Sequence, residues 1–277
     1  MKIIECPRDA MQGIVNFIPT DLKIQYINQL LKIGFDTIDF GSFVSPKVMP
    51  QMRDTNKVLS SLDLSQSLSR LLAIVANERG AKDASFFDEV TYLGYPLSVS
   101  EIFQKRNTNT SIDQSLIVLE NIYSIAVKKN KKLVVYLSMA FGNPYSEIYH
   151  PDKVAALVRK LNYMKISTIA LSDTVGVSNP NNITTLFDIL ILEYPDIEFG
   201  AHFHSTSYSW REKIDAAYKN GCRRFDSTLK GIGGCPMADN KLLGNIPTEK
   251  VISYFKRDLD LNEIEFSKAL KLTSSIF

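Results

Sequence analysis

Short apolar runs and longer amphipathic stretches alternate along almost the whole chain, and that alternation limits the fold more than any single motif. An apolar run bounded by turn residues reads as a buried strand, and apolar residues three and four apart read as one face of a helix. Candidate strands are Ile3 to Cys6, Thr37 to Phe40, Leu71 to Ala76, Glu89 to Gly94, Leu133 to Met139, Ser167 to Leu171, Ile197 to Ala201 and Arg224 to Ser227. Helical spacing lies between them at Asp21 to Ile33 (stopped by Gly34), Pro46 to Leu62, Glu78 to Phe86, Ile112 to Lys129, Pro151 to Met164, Asn181 to Glu193, Ser209 to Asn220 and Thr248 to Arg257, with a terminal helix from Asn262. The stretch from Tyr95 to Asn109 reads as irregular. Repeated strand–helix units build parallel sheets through right-handed crossovers. Eight of them predict an α/β fold, a (β/α)8 TIM barrel with a C-terminal helical appendage, and 277 residues suit one barrel of about 250. No linker or internal duplication interrupts the pattern, so residues 1–277 are expected to form a single domain.

Composition removes several classes. A net charge of +2 is too small to argue for nucleic acid or an anionic membrane. The one basic cluster, Lys128 to Lys132, reads as a solvated helix end and loop. No stretch approaches the roughly 18 uninterrupted apolar residues of a membrane span. Three cysteines, Cys6, Cys222 and Cys235, make neither a disulfide framework nor a C-x-x-C pair, which fits a reducing compartment. With no signal pattern at the N-terminus, a cytoplasmic location is expected.

In a barrel of this kind the active site is built at the C-terminal ends of the strands. The unusual polar residues fall there: Arg8 and Asp9 after the first strand, Asp39 ending the second, Asp173 after the sixth, His202 and His204 ending the seventh, and Cys235 and Asn245 after the eighth. His202 and His204 are two of only three histidines. Residues i and i+2 of a strand share a face, so the two rings project together. Taken singly, each residue has a plainer reading. The histidines could be hydrogen-bonded on a partly buried strand, Arg8 and Asp9 a local ion pair, Asp39 an arginine's partner, Asp173 a helix cap and Cys235 a small buried hydrophobe. Gly231, Gly233 and Gly234 could serve only tight turns, and Asn245 a turn. Their collection at one rim favours function. Asp9, His202 and His204 offer one oxygen and two nitrogens to Mg²⁺, Mn²⁺ or another divalent ion, and Asn245 could add a carbonyl oxygen. Such an ion would act as a Lewis acid, Arg8 could neutralise an oxyanion, and Cys235 could close over the site on the glycine loop.

Pro7-Arg-Asp-Ala-Met-Gln12, Ser42-Phe-Val-Ser-Pro-Lys47 with Pro50-Gln-Met52, Ser172-Asp-Thr-Val-Gly176, His202-Phe-His204, and Gly231-Ile-Gly-Gly-Cys-Pro236 leading to Gly244-Asn245 resemble the motifs of the hydroxymethylglutaryl-CoA lyase family, in order, from residue 7 to residue 245. The resemblance implies a retro-Claisen cleavage of 3-hydroxy-3-methylglutaryl-CoA to acetyl-CoA and acetoacetate, as in leucine degradation and ketone-body formation. It implies Mg²⁺ or Mn²⁺ on Asp9, His202, His204 and Asn245, and Arg8 stabilising the enolate. His202 would help deprotonate the hydroxyl with Asp39 and Asp173 in support, and Cys235 would transfer a proton. An acyl-CoA substrate and a homodimer follow from the same resemblance. The chain departs from the better-known members in carrying Asp39 for glutamate, Ser205 for the aspartate after His-x-His and Ala10 for glycine, with one extra residue between Cys235 and Asn245. A related lyase or aldolase acting on another 3-hydroxy acid or its thioester, or a non-catalytic relative that binds acyl-CoA or metal, would share many of these features. Metal-dependent hydrolysis is disfavoured, because the His-x-His pair follows the seventh strand and too few histidines remain to complete such a site.

Overall fold

The computed structural model of the chain describes residues 1–234 and 243–277. Eight parallel strands follow one another round a ring: β1 (Lys2–Glu5), β2 (Thr37–Ser42), β3 (Arg70–Ile74), β4 (Val90–Ser98), β5 (Lys132–Ser138), β6 (Thr168–Asp173), β7 (Glu198–Ser205) and β8 (Arg224–Ser227). β8 pairs with β7 on one side and with β1 on the other, which closes the barrel. A short β9 (Gly244–Asn245) lies antiparallel to the end of β7 and sets Asn245 opposite His204.

Alternation along the strands separates two apolar layers. Leu72, Ile74, Tyr92, Val134, Tyr136 and Ala170 point into the barrel and form its own cluster. Their neighbours of opposite parity, among them Leu71, Ala73, Leu93, Val135, Leu137 and Ile169, join the larger layer between strands and helices. The surrounding helices bury single stripes against that layer. In the helix Pro151–Tyr163 the stripe is Val154, Leu157, Val158 and Leu161, a spacing that keeps one face inward over about two turns. Each such side chain removed from water stabilises by about 1.5–3 kcal/mol. The C-terminal helix Glu263–Ile276 lies against the early helix Thr20–Leu30, where Gln29 Nε2 donates to the Glu265 carbonyl at 2.9 Å.

The barrel and the eight strand positions agree with expectation, and the differences have local causes. Pro46 to Leu62 is not one helix but a 3-10 turn, Pro50–Met52, followed by a short helix, Thr55–Leu59. Pro50 has no N–H to donate and pushes Met49 out of the helical region, to φ −129° and ψ 75°. The supposedly irregular Tyr95 to Asn109 contains the end of β4 and a helix, Glu101–Thr108, whose cap Ser100 accepts from the Phe103 N–H at 3.0 Å. That helix buries only Phe103 and Gln104, so its apolar stripe is too thin to read in sequence. β7 continues through the histidine pair to Ser205. A helical turn, Pro7–Gln12, starts directly after β1, with Pro7 at the first position, where its missing N–H costs nothing.

Glu5, at the end of β1, fastens the chain after β8 to the start of the barrel. Its carboxyl accepts from the Leu229 N–H at 2.9 Å and contacts the Thr248 hydroxyl at 2.5 Å. The side chain is fully buried, and burial pushes its pKa from 4.5 up to about 8, against the pull of the Thr248 and Leu229 hydrogen bonds. The folded protein therefore keeps this proton at neutral pH, whereas the unfolded chain releases it above about 4.5. Stability contributed by Glu5 is present below that value and is lost as pH rises toward 8. Thermal melts of Glu5→Gln should show a shallower loss of stability between pH 5 and 8 than the wild type, with a difference on the order of 3 kcal/mol across the window. Parallel curves for the two proteins would refute the assignment.

Candidate active site

β8 lies between β7 and β1, so the residues just beyond the ends of β1 and β7 meet although about 190 positions separate them in sequence. The turn Pro7–Gln12 holds Arg8 and Asp9 inward at the rim, both buried. Inward parity on β7 gives Gly200, His202 and His204. One ligand atom from each of Asp9, His202 and His204 lies within 4.8 Å of the other two. The His202 and His204 rings meet edge to face at 5.6 Å between centroids.

Backbone and side-chain contacts fix how each group presents itself. His204 Nδ1 stands 2.9 Å from the Thr174 carbonyl oxygen. A carbonyl only accepts, so Nδ1 carries the hydrogen and Nε2 the lone pair. Nε2 is buried without a hydrogen-bond partner among the described residues. Burial and the neighbouring His202 both lower the His204 pKa, which keeps the ring neutral and its lone pair available. His202 Nδ1 faces Asp226 Oδ2 at 3.1 Å. Burial alone would lower the His202 pKa, but the hydrogen bond and charge of Asp226, reinforced by Asp9, raise it. An imidazole backed by a carboxylate is the usual support of a metal-ligating histidine.

The Asp9 carboxylate accepts from Gln12 Nε2 at 2.6 Å, Arg8 Nη1 at 3.1 Å and Asn245 Nδ2 at 2.6 Å. Burial would raise its pKa, yet Arg8, then the two histidines and Asn245, bring it below the ordinary value, so it is a carboxylate at neutral pH. Asn245 also donates to the Ile232 carbonyl at 3.1 Å, so both of its amide hydrogens are engaged. Gly233 makes the closeness possible: its φ is +89°, and a Cβ there would lie 2.6 Å from the Asp9 carbonyl oxygen. One carboxylate, an orphaned buried imidazole nitrogen and a second imidazole form a donor set that fits a divalent cation, with the Asn245 amide beside Asp9.

Asp39 is fully buried and accepts from Arg8 through Nη2 at 2.5 Å and Nε at 3.0 Å. Burial pushes Asp39 up to about 6 against the pull of Arg8, so at neutral pH the pair is ionic. Arg8 Nη1 also donates to Gln12 at 2.8 Å. Among the described residues four of the five guanidinium hydrogens are thereby engaged, which leaves one on Nη2 for a ligand.

Asp173, expected to support the histidine, does not reach it. Its carboxylate is closed by Lys213 Nζ at 2.7 Å, the Ser178 N–H at 3.0 Å and the Ser178 hydroxyl at 2.5 Å. The carboxylate that backs His202 is Asp226, of inward parity on β8 and two residues beyond the inward-facing Arg224. An aspartate inside a predicted strand was the available sequence signal for it. Gln12 and Lys213 carried no comparable signal. Ser205 is buried, and its hydroxyl has no partner among the described residues. Cys235 lies outside the described residues.

A cavity of about 390 Å³ opens over this cluster, lined by Arg8, Asp9, His202 and His204 below and by Val48 and Arg106 among the residues around it. Its size suits a substrate-sized ligand.

The chain is similar to known proteins along nearly its whole length. The HMGL-like family profile matches residues 2–276. A hydroxymethylglutaryl-CoA lyase of Bacillus subtilis (strain 168) is 33% identical over 257 residues, 92% of this chain and 84% of the relative. The cytoplasmic 3-hydroxy-3-methylglutaryl-CoA lyase of Rattus norvegicus is 34% identical over 265 residues, 95% of this chain and 76% of the relative. The crystal structure of the Bacillus subtilis HMG-CoA lyase superposes with a TM-score of 0.92 at 30% identity, covering 99% of this chain and 92% of the other. An HMG-CoA lyase from Acenitobacter baumannii in complex with coenzyme A and 3-methylmalate superposes with a TM-score of 0.91 at 28% identity, covering 100% and 90%. With a profile match along nearly its whole length and relatives above 30% identity, the chain belongs to the HMGL-like family.

Proposed function

We propose that the chain is a carbon–carbon lyase that cleaves 3-hydroxy-3-methylglutaryl-CoA to acetyl-CoA and acetoacetate with the help of a divalent cation. The observation that carries this reading is the meeting of Asp9, His202 and His204 within 4.8 Å, with the Arg8 guanidinium beside them on one cavity floor. Relatives named for the same reaction, and one of them bound to coenzyme A, support the substrate class. The acyl-CoA is the expected partner. Mg²⁺ or Mn²⁺, a homodimer, a cytoplasmic location and a role in leucine degradation or ketone-body formation are inferred from the family. No helix among the described residues is long and apolar enough to cross a membrane.

Asp9, His202, His204 and Asn245 would hold the cation, which when bound supplies Lewis acidity toward the carboxylate and tertiary hydroxyl oxygens of the substrate. The reaction removes the hydroxyl proton, breaks the bond between C2 and C3, and sends its electron pair toward the thioester oxygen. C3 becomes the ketone of acetoacetate, and protonation of the enolate carbon completes acetyl-CoA. His202 is assigned a part in removing the first proton: with Nδ1 facing Asp226, its one free nitrogen, Nε2, either holds the cation or takes the proton, and in the second state Asp226 stabilises the imidazolium. Arg8 meets the negative charge that develops on the thioester oxygen with its remaining Nη2 hydrogen, and Asp39 and Gln12 hold it in place. Asp39 thus acts through Arg8. Asp173 is assigned a supporting role through Lys213, and Cys235 the return of a proton to the enolate carbon.

Purified protein with the thioester and Mg²⁺ or Mn²⁺ should release acetoacetate, and chelation should stop it. No product with any divalent ion would refute the reaction. Arg8→Gln should lower kcat by about 10²–10³ or more, as loss of an oxyanion donor does, while a cation titration still shows binding. Unchanged turnover in that variant would remove Arg8 from the chemistry. His204→Gln should abolish measurable Mn²⁺ binding, and retained affinity would displace His204 from the ligand set.

A further inference from the structure

We propose that Lys213 is a positioning residue of the cation site, holding the His204 ring and the loop that bonds it in one ligating orientation; this rests on the ligand set assigned above. Lys213 stands in the first turn of the helix Trp210–Lys219 and is 2% exposed. Its three N–H donors have three acceptors: Asp173 Oδ2 at 2.7 Å, the His204 carbonyl at 2.8 Å and the Gly176 carbonyl at 3.2 Å. The ammonium is therefore saturated, and it ties the ends of β6 and β7 to the loop between Asp173 and Ser178.

That loop carries the atom that orients His204. The Thr174 carbonyl takes the Nδ1 hydrogen of His204, and the Thr174 hydroxyl in turn accepts from the Met139 N–H at 2.9 Å. Lys213 thus holds the His204 ring from both sides, through the residue's own carbonyl and, by way of Asp173, through the residue next to Asp173. Burying an ammonium and a carboxylate carries a large desolvation cost that only close geometry offsets. A fold that needed only apolar filling here would be served by leucine or methionine. The ion pair gives in exchange a fixed direction for the Nε2 lone pair.

The test uses the whole chain. Lys213→Met leaves Asp173 buried and unpaired, so loss of folding alone would not separate positioning from stability. The double variant Asp173→Asn/Lys213→Met removes both charges. Positioning predicts that the double variant recovers thermal stability relative to Lys213→Met but binds Mn²⁺ 10–100-fold more weakly than the wild type in a calorimetric titration, the range found when outer partners of metal ligands are lost. Wild-type affinity in the double variant would overturn the proposal. A second readout needs no cation. With three histidines in the chain, ¹⁵N–¹H correlation spectra of the metal-free protein can assign each ring. His204 should hold its hydrogen on Nδ1 in the wild type and lose that single tautomer in the double variant. An Nε2–H tautomer in the wild type, or an unchanged one in the variant, would refute it. If the wild type binds no Mn²⁺ yet shows the Nδ1–H tautomer and its loss in the double variant, the cation assignment fails and the clamp on His204 stands.

Discussion

Everything at the functional end of this barrel depends on the closing of the ring through β8. The register Lys2 to Arg224 and Gly200 to Arg224 puts three strands side by side at one level. From that level the chain climbs to Asp9 on one flank and His204 on the other. Without β8 in that place Asp9 would have no approach to the histidines, and a carboxylate buried beside an arginine would be an isolated ion pair. With it, Asp9 meets His202 and His204 from the two strands that flank β8.

The second constraint is charge in a dry place. The rim holds Asp9, Asp39 and Asp226 as buried acids, with Arg8 and the histidines among them. Such an assembly persists only where each charge has close partners, and the hydrogen-bond network provides them for Asp9, Arg8 and Asp39. Asp39 is the sharpest case. Its carboxyl sits near the point of accepting a proton, so Arg8 holds it ionised by contact and not by exposure to water. The aspartate grips the guanidinium through two of its nitrogens, Nε and Nη2.

Much of this was legible in the sequence, for reasons that can be named. Strands in a parallel barrel are buried on both faces, so their apolar runs are continuous and stand out. Asp9, His202, His204 and Asn245 were visible because polar residues at strand ends interrupt those runs. Asp226 was not singled out, because inside a strand one acid on the inward face looks like any alternation, and only the pairing of β7 with β8 shows which histidine it meets. Asp173 stands at the expected rim, with its carboxylate bonded to Lys213 and Ser178 and not to His202. Spacing puts a residue after a strand and does not say whether its side chain turns toward the axis or toward a helix, and here the long reach of Lys213 decided it. The helix expected over Pro46 to Leu62 failed at Pro50, where the missing N–H outweighed the apolar periodicity.

Gly233 and Gly244 give the glycine loop a further meaning. A Cβ on Gly233 would strike the Asp9 backbone, and one on Gly244 would lie 2.5 Å from the Gly231 carbonyl oxygen. Both roots of the segment between them are therefore seated on the residues that carry the donor set, one against Asp9 and the other continuous with Asn245. Any segment that replaces the one between them would have to keep both glycines for the Asp9 turn and Asn245 to stay in contact.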